Sequence, residues 1–431
     1  MLQTRSNRPR SAAFHLKTAL VIIFLACAAA IVGLHFSSSL QGTDFPDFYC
    51  AARIVLNGHG KHLYETALQY RFQTEYAGRV GTLYIHPPFE TVFYVAVAWL
   101  PLRYAYVLWS FLNLLFLAIA ARALAQATLR VWNWRILCVC SLTFVPLLLS
   151  LIQGQDSILL LLLLVLAYAA LYRGHDFLAG SWLALGLFKF QLVLPIALVL
   201  LLSLGRTRRR ALTSSFILVA LALMGLSAAI SGWSALGTYP EFLMHLTAQR
   251  FAGIIPQAMP NFRGLLYALF HDHQSPSAIA VMLILSAATM IGALLSWKQV
   301  PVKPPLTTNQ RSRFDLAFSN TVLFSLLVSY HLNPHDLTLL LLPIALTLHH
   351  ILANRKTSLN EKQPSVSGWT AVDWTTLAVL AILFLPPLHV LALKSHLYAL
   401  ISIPLIMLFV SISLILQKGR THEAALHIDN G

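Results

Sequence analysis

The run Leu16–Leu34, LKTALVIIFLACAAAIVGL, leads through a short spacer into Gly42–Tyr64, GTDFPDFYCAARIVLNGHGKHLY, and this junction decides how the chain is read. The first segment is close to the ~20 apolar residues that a membrane helix needs. The second opens a polar loop over residues 37–86, with two carboxylates, Asp44 and Asp47, where the chain has just left the apolar run. Phe45, Phe48, Tyr49, Ala52, Ile54 and Val55 follow at mixed i, i+3 and i+4 spacing, which predicts a short helix on a membrane surface. Asn57-Gly58-His59-Gly60 predicts its end. An acid held at the mouth of a bundle by such a helix is a catalytic arrangement. The same acids would serve equally as surface charges of a solvated loop.

Of 431 residues, 58% are hydrophobic and 10% charged, against about 25% charged in soluble domains. Such a chain cannot cover a soluble surface, and its apolar runs recur near the length of a span. The expectation is an all-α polytopic protein of the plasma (inner) membrane. A net charge of +15 would suggest nucleic acid in a soluble protein. Here the excess falls in short loops on one side, as the positive-inside rule expects, so no nucleic-acid partner is predicted. Cys27, Cys50, Cys138 and Cys140 lack metal-ligand spacing, which argues against a zinc site or a disulfide framework. Basic residues before Leu16 resemble a signal peptide. With no convincing cleavage site, they predict an uncleaved first span with a cytoplasmic N-terminus.

A second surface helix is expected over Tyr64–Tyr76. Residues 89–101 are apolar but short and stopped by Pro101, which predicts a re-entrant or interfacial piece. Further spans are expected near 103–122, 136–152, 157–172, 178–189, 191–204, 211–231, 277–297, 314–330, 335–353, 371–388 and 396–416. With the first run this makes about twelve. The run 178–204 is split around Lys189 and Pro195, because one tilted helix would place Arg206, Arg208, Arg209 and Arg210 on the outer side. The second large outer loop is then 232–276.

Four polar clusters interrupt apolar sequence at span ends: His86-Pro87-Pro88, Gln153-Gly154-Gln155-Asp156, Lys189-Phe190-Gln191, and His331-Leu332-Asn333-Pro334-His335-Asp336. Each alone can be a structural loop. The predicted topology turns all four to the side of Asp44, which points to a shared outer-facing polar cavity. Asn261 and Arg263 in the second outer loop join them. Lys189 and Arg263 are the natural cations for a phosphate, although Lys189 could equally snorkel to the interface and Arg263 could anchor to lipid headgroups. There is no Walker loop, GxGxxG or H-E-x-x-H, so the large loop suggests a donor that is itself a lipid.

In this order the motifs resemble the membrane-embedded GT-C glycosyltransferases, and among them glycosyltransferase family 87. The similarity lies in Asp44-Phe45-Pro46 with Tyr49, Ala51-Ala52, Gly58 and Tyr64; then His86-Pro87-Pro88, Trp109 and Asn113. It continues through Gly154-Gln155, Ala179-Gly180, Gly186 and Lys189 to His335-Asp336 and Leu339–Pro343. The resemblance implies a GT-C-like bundle with interfacial helices in the first outer loop. It divides the chain into 1–36 (N-terminus and first span), 37–102 (first outer loop), 103–353 (bundle) and 354–431 (C-terminal pair of spans and tail). It also implies transfer of mannose or another hexose or pentose from a polyprenyl monophosphate to a lipid or glycan acceptor outside the cytoplasm, in cell-envelope synthesis. Asp44 takes the role of general base. Tyr49, His86, Gln155, Asp156, Lys189, Gln191, Asn261, Arg263, His331, Asn333, His335 and Asp336 are the expected substrate-binding residues. No metal or other cofactor is expected, although some GT-C enzymes pair a metal with a second acid, a place Asp156 would take. Asp156 directly after Gln155, and Pro334-His335-Asp336, depart from the family pattern and leave sugar and acceptor open. Competing readings are a lipid-linked glycan ligase, a transporter or flippase, and a scaffold that has lost catalysis. The flippase should show inverted repeats, and the scaffold should lack Asp44.

Overall fold

The computed structural model describes residues 43–128, 133–248, 255–270, 275–298, 300, 308–360 and 370–428. The expected first span, Leu16–Leu34, lies outside them. All regular structure among the described residues is helical. In chain order the helices are α1 (Phe45–Leu56), α2 (Thr66–Ala77), α3 (Thr91–Ala98), α4 (Leu102–Ala127), α5 (Trp134–Ser141), α6 (Val145–Gln153), α7 (Ser157–Tyr172), α8 (Asp176–Leu185) and α9 (Phe190–Ser203). They continue with α10 (Arg206–Ala248), α11 (Phe262–Phe270), α12 (Pro276–Trp297), α13 (Thr308–Val328), α14 (Leu341–Asn360), α15 (Ala371–Phe384), α16 (Pro386–Lys394) and α17 (Ser402–Ile428).

Among the described residues, five helical segments are long and apolar enough to cross a membrane, or up to eight if each of three bent pairs counts as one span. The expected count of about twelve, which included Leu16–Leu34, is not reached among these residues. The bent pairs are α5 with α6, α8 with the segment containing α9, and α15 with α16. At the second of these the chain turns at Lys189 and comes back, since Arg208, at the start of α10, meets Asp176, at the start of α8, at 2.7 Å. Helix α10 runs on past the expected boundary at residue 232. Gly232 alone is non-helical there, with φ +79°, and the chain resumes its helix beyond that kink.

Helix α7 is apolar on every side and almost wholly buried, the signature of a central helix. Helix α13 carries a polar seam into the interior. Asp315 accepts from Tyr168 of α7 (2.6 Å), Thr321 from the Trp297 indole of α12 (2.8 Å), and Asn320 donates to Ser413 of α17 (3.0 Å). Polar groups buried in this way must be paired internally, and these pairs fix which helices are neighbours. Outward faces of α10 and α12 instead show Leu218, Leu221, Leu283 and Ile284, the apolar surface that a bilayer would cover.

Helix α1 forms where expected. Pro46 stands in its first turn, and Gly58 at φ +77° follows its last. Its setting is different. Phe45, Phe48, Tyr49, Cys50, Ala51, Ala52 and Ile54 are all buried, so α1 is enclosed by protein and does not lie on a surface with one free face. The alternating small and aromatic residues that looked amphipathic pack instead against α3 and α4. Phe48 stacks on Tyr94 at 4.7 Å, and Phe45 meets Tyr106 edge-on at 5.4 Å.

Candidate active site

The local reason for Asp44's position is Gly154. It closes α6 in the left-handed conformation (φ +67°), and a Cβ there would fall 2.6 Å from Phe45 Cβ. Only glycine permits both. The Trp109 indole donates to the Gly154 carbonyl at 2.9 Å, and Asn113 braces Trp109 by donating to its carbonyl at 3.1 Å. With Gly154 locked against Phe45, the next side chain, Gln155, donates from Nε2 to Asp44 Oδ2 at 2.6 Å.

The two acids of the first loop have separate environments. Asp44 keeps partial exposure and lines a polar cavity of about 340 Å³ with Thr82, His86, Gln153, Gln155, His331, Asn333 and His335. Asp47 touches the same cavity but is nearly buried. It accepts from Thr82 and from Gln73 (3.1 Å), which ties the 79–82 turn to α1. Burial pushes the Asp47 carboxyl up to about 7, against the pull of the Thr82 hydrogen bond.

A second cavity of about 430 Å³ adjoins the first, and Ile85, His86 and His331 line both. Its other walls are mostly apolar, including Phe188, Leu243 and Met244, with Gln191 and Tyr239 as polar points. Tyr330 at its edge also borders an apolar groove of about 770 Å³ between α9, α10, α12 and α13. Burial holds both His86 and His331 at about 4, so the two imidazoles at the junction are neutral at physiological pH.

Beneath the cavities lies an ion cluster. Lys189 Nζ donates to Asp336 Oδ1 (2.5 Å) and Ser157 Oγ (2.8 Å) and stands 2.9 Å from Asp156 Oδ1. Two of its N–H bonds are therefore directed at protein oxygens, and its charge is shared with Asp156. Asp336 also accepts from the Asn333 backbone (2.9 Å), and His335 Nδ1 lies 2.6 Å from Gln153 Oε1. His86, Glu90 and Asp156 each place a ligand atom within 4.8 Å of the others, a spacing compatible with a metal ion. Lys189 already supplies positive charge to that group.

Of the expected site residues, Asp44, His86, Gln155, Gln191, His331, Asn333 and His335 line the two cavities. Asp156, Lys189 and Asp336 sit under them, and Lys189, expected at a phosphate or the interface, is engaged by the two carboxylates. Tyr49 is buried, its hydroxyl donating to the Leu100 carbonyl (2.9 Å) and accepting from Arg53 (3.0 Å). Asn261 donates to the Ser329 carbonyl (2.7 Å), and Arg263 donates to that of Tyr330 (3.0 Å) while lying 4.0 Å from its ring. These two clamp the 329–336 turn. The loop allows this because Gly264 packs where a Cβ would meet the Met259 carbonyl at 1.9 Å. Sequence reading gave no site role to Glu90 or Thr82, and named Gln153 only as part of its cluster. Glu90 stands four residues after His86, a helical spacing that could have flagged the pair.

Comparison with known families agrees with this architecture. The description "Glycosyltransferase family 87" matches residues 84–329, more than half of the chain. The matched region begins after Asp44 and ends before His331. No curated protein and no solved structure matches the chain. The chain belongs to glycosyltransferase family 87.

Proposed function

We propose that this glycosyltransferase moves mannose, or another hexose or pentose, from a polyprenyl monophosphate to a lipid or glycan acceptor on the extracytoplasmic face, with Asp44 as base. The observation that carries the reading is the junction of a polar cavity holding Asp44 with an apolar cavity that meets a long apolar groove at Tyr330. A polyprenyl tail suits the groove, and its sugar would reach the polar cavity. Asp44, oriented by Gln155, takes the proton from the acceptor hydroxyl as the oxygen attacks the anomeric carbon. The phosphate leaves with its electron pair and needs hydrogen-bond donors more than an acid. Gln191, Asn333 and the cavity histidines are the groups at hand. Lys189 acts from beneath by holding the His335-Asp336 turn in place. No step requires a metal, and transfer should survive chelation by EDTA.

The test is transfer from synthetic polyprenyl-phosphate mannose by purified protein to cell-envelope lipid or glycan acceptors. Asp44→Asn should reduce the rate by at least about 100-fold while donor binding persists. Asp47→Asn should keep much of the activity, because Asp47 is committed to Thr82 and Gln73. Full activity in Asp44→Asn would remove it as the base.

A further inference from the structure

Glu90 is a fully buried carboxylic acid that the transfer mechanism above does not use. Its Oε2 lies 3.0 Å from His86 Nδ1 and 3.1 Å from the Tyr84 hydroxyl, which also donates to the Pro87 carbonyl at 2.8 Å. Its Oε1 has no hydrogen-bond partner. Neither does either oxygen of Asp156, although Lys189 stands at ion-pair distance from Oδ1. A carboxyl oxygen of Glu90 and one of Asp156 lie within 4.8 Å of each other, away from water, so the two groups meet with oxygens unused. Two ionised carboxylates cannot remain in such a place, whereas a single proton between them satisfies both. Tyr64, Tyr94, Tyr239, Lys189 and Asp336 are further titratable groups around the pair, and the lysine already shares its charge between two acids.

We propose that Glu90 is held as the neutral acid, donating from Oε1 to Asp156 and accepting His86 Nδ1–H at Oε2. The imidazole is thereby fixed in one tautomer, with a bare Nε2. Phe48 packs edge-on against the ring at 5.0 Å and Tyr84 leans on it at 5.7 Å, so its direction is fixed as well. About 20% of the His86 side chain remains exposed, and it borders both cavities. A lone pair there repels phosphate oxygens and accepts hydrogen. Resting on the donor reading above, His86 thus recognises a hydroxyl of the sugar at the junction, and Glu90 is its positioning residue.

Two spectra test this without turnover. In protein labelled with 15N-histidine, the His86 signal (identified by its loss in His86→Phe) should report the Nδ1-protonated tautomer. Infrared spectra should contain a protonated-carboxyl band that disappears in Glu90→Gln and persists in Asp44→Asn. In transfer assays, Glu90→Ala should lose about tenfold or more in kcat/KM, the scale of one or two hydrogen bonds. Glu90→Gln should recover most of that loss, because the amide donates to Asp156 and accepts from His86. The Nε2-protonated tautomer, absence of the band, or Glu90→Gln no better than Glu90→Ala would each overturn the proposal. Both spectral signals in a protein that transfers nothing from the polyprenyl donor would reject the donor reading and leave the carboxyl pair standing.

Discussion

Gln155 reaches Asp44 across 111 positions of sequence and donates to it at 2.6 Å, a side-chain contact that orients the proposed base. Gln155→Ala should lower kcat by about tenfold, the cost of a base left to rotate, with little change in thermal stability. Gln155→Glu should cost more, because it sets carboxylate against carboxylate at the same distance. Steady-state kinetics of both variants check the order. Equal activity in wild type and Gln155→Glu would separate Gln155 from the chemistry.

Gly154 should tolerate no side chain. Gly154→Ala combines a left-handed backbone with a Cβ 2.6 Å from Phe45 Cβ, so either α1 or the α6 end must move. The expected result is loss of transfer by more than about tenfold together with a lower melting temperature. Gly58→Ala is the control. Its φ is also positive, yet nothing lies within 4 Å of the added atom, so it should cost stability without a comparable loss of transfer.

Lys189 makes a stability prediction in place of an affinity one. Lys189→Ala leaves Asp156 and Asp336 facing each other without a counter-ion, a change of roughly 3–5 kcal/mol for a broken buried pair. Adding Asp336→Asn should restore part of the folded protein. Thermal melts in detergent decide this. A stable Lys189→Ala protein with weakened donor saturation would return Lys189 to the phosphate.

Asp47 predicts a pH dependence. Its folded value of about 7 is raised above an ordinary Asp value of 3.8, so the folded state holds a proton that the unfolded chain releases. The contribution is fully present below the unfolded value and is lost as pH rises through about 7. Wild-type stability should therefore fall across this window relative to Asp47→Asn, whose amide does not titrate. Parallel slopes for the two proteins would show that Asp47 does not carry the effect.

Sidedness is open to direct measurement. Single cysteines at Tyr76 and Gly237, in a background without cysteines, should label with an impermeant thiol reagent applied from outside. Labelling only after the membrane is opened would move the cavities to the cytoplasmic side.

Much of this is legible in the sequence. The start and end of α1 follow from Pro46 and Gly58, and the break near Lys189 follows from a lysine and arginines that cannot sit in lipid. Asp44, His86 and Gln155 could be grouped because polar residues at the ends of apolar runs gather on one side. What could not be read was how each polar group is satisfied. Tyr49, Lys189, Asn261 and Arg263 carry the right chemistry for a substrate, and each has bonds directed elsewhere, to partners between 51 and 147 positions away. The pairing of Glu90 with Asp156 depends on a long-range contact that no local pattern encodes. Hydropathy measures apolar length and not direction, so the bend after α5, inside the expected span 136–152, was not legible in it.

The Asp176–Arg208 contact has a consequence for how the protein enters its membrane. Arg208 donates to both Asp176 oxygens and to the Leu171 carbonyl, closing a hairpin whose tip carries Lys189. Until residue 208 has been synthesised, Asp176 has no such counter-charge, and until residue 336 arrives Lys189 lacks its closest one. The two ends of the hairpin are therefore completed separately: its base is closed by a residue 32 positions on, whereas its tip gains its closest counter-charge only from a turn 147 positions further along the chain.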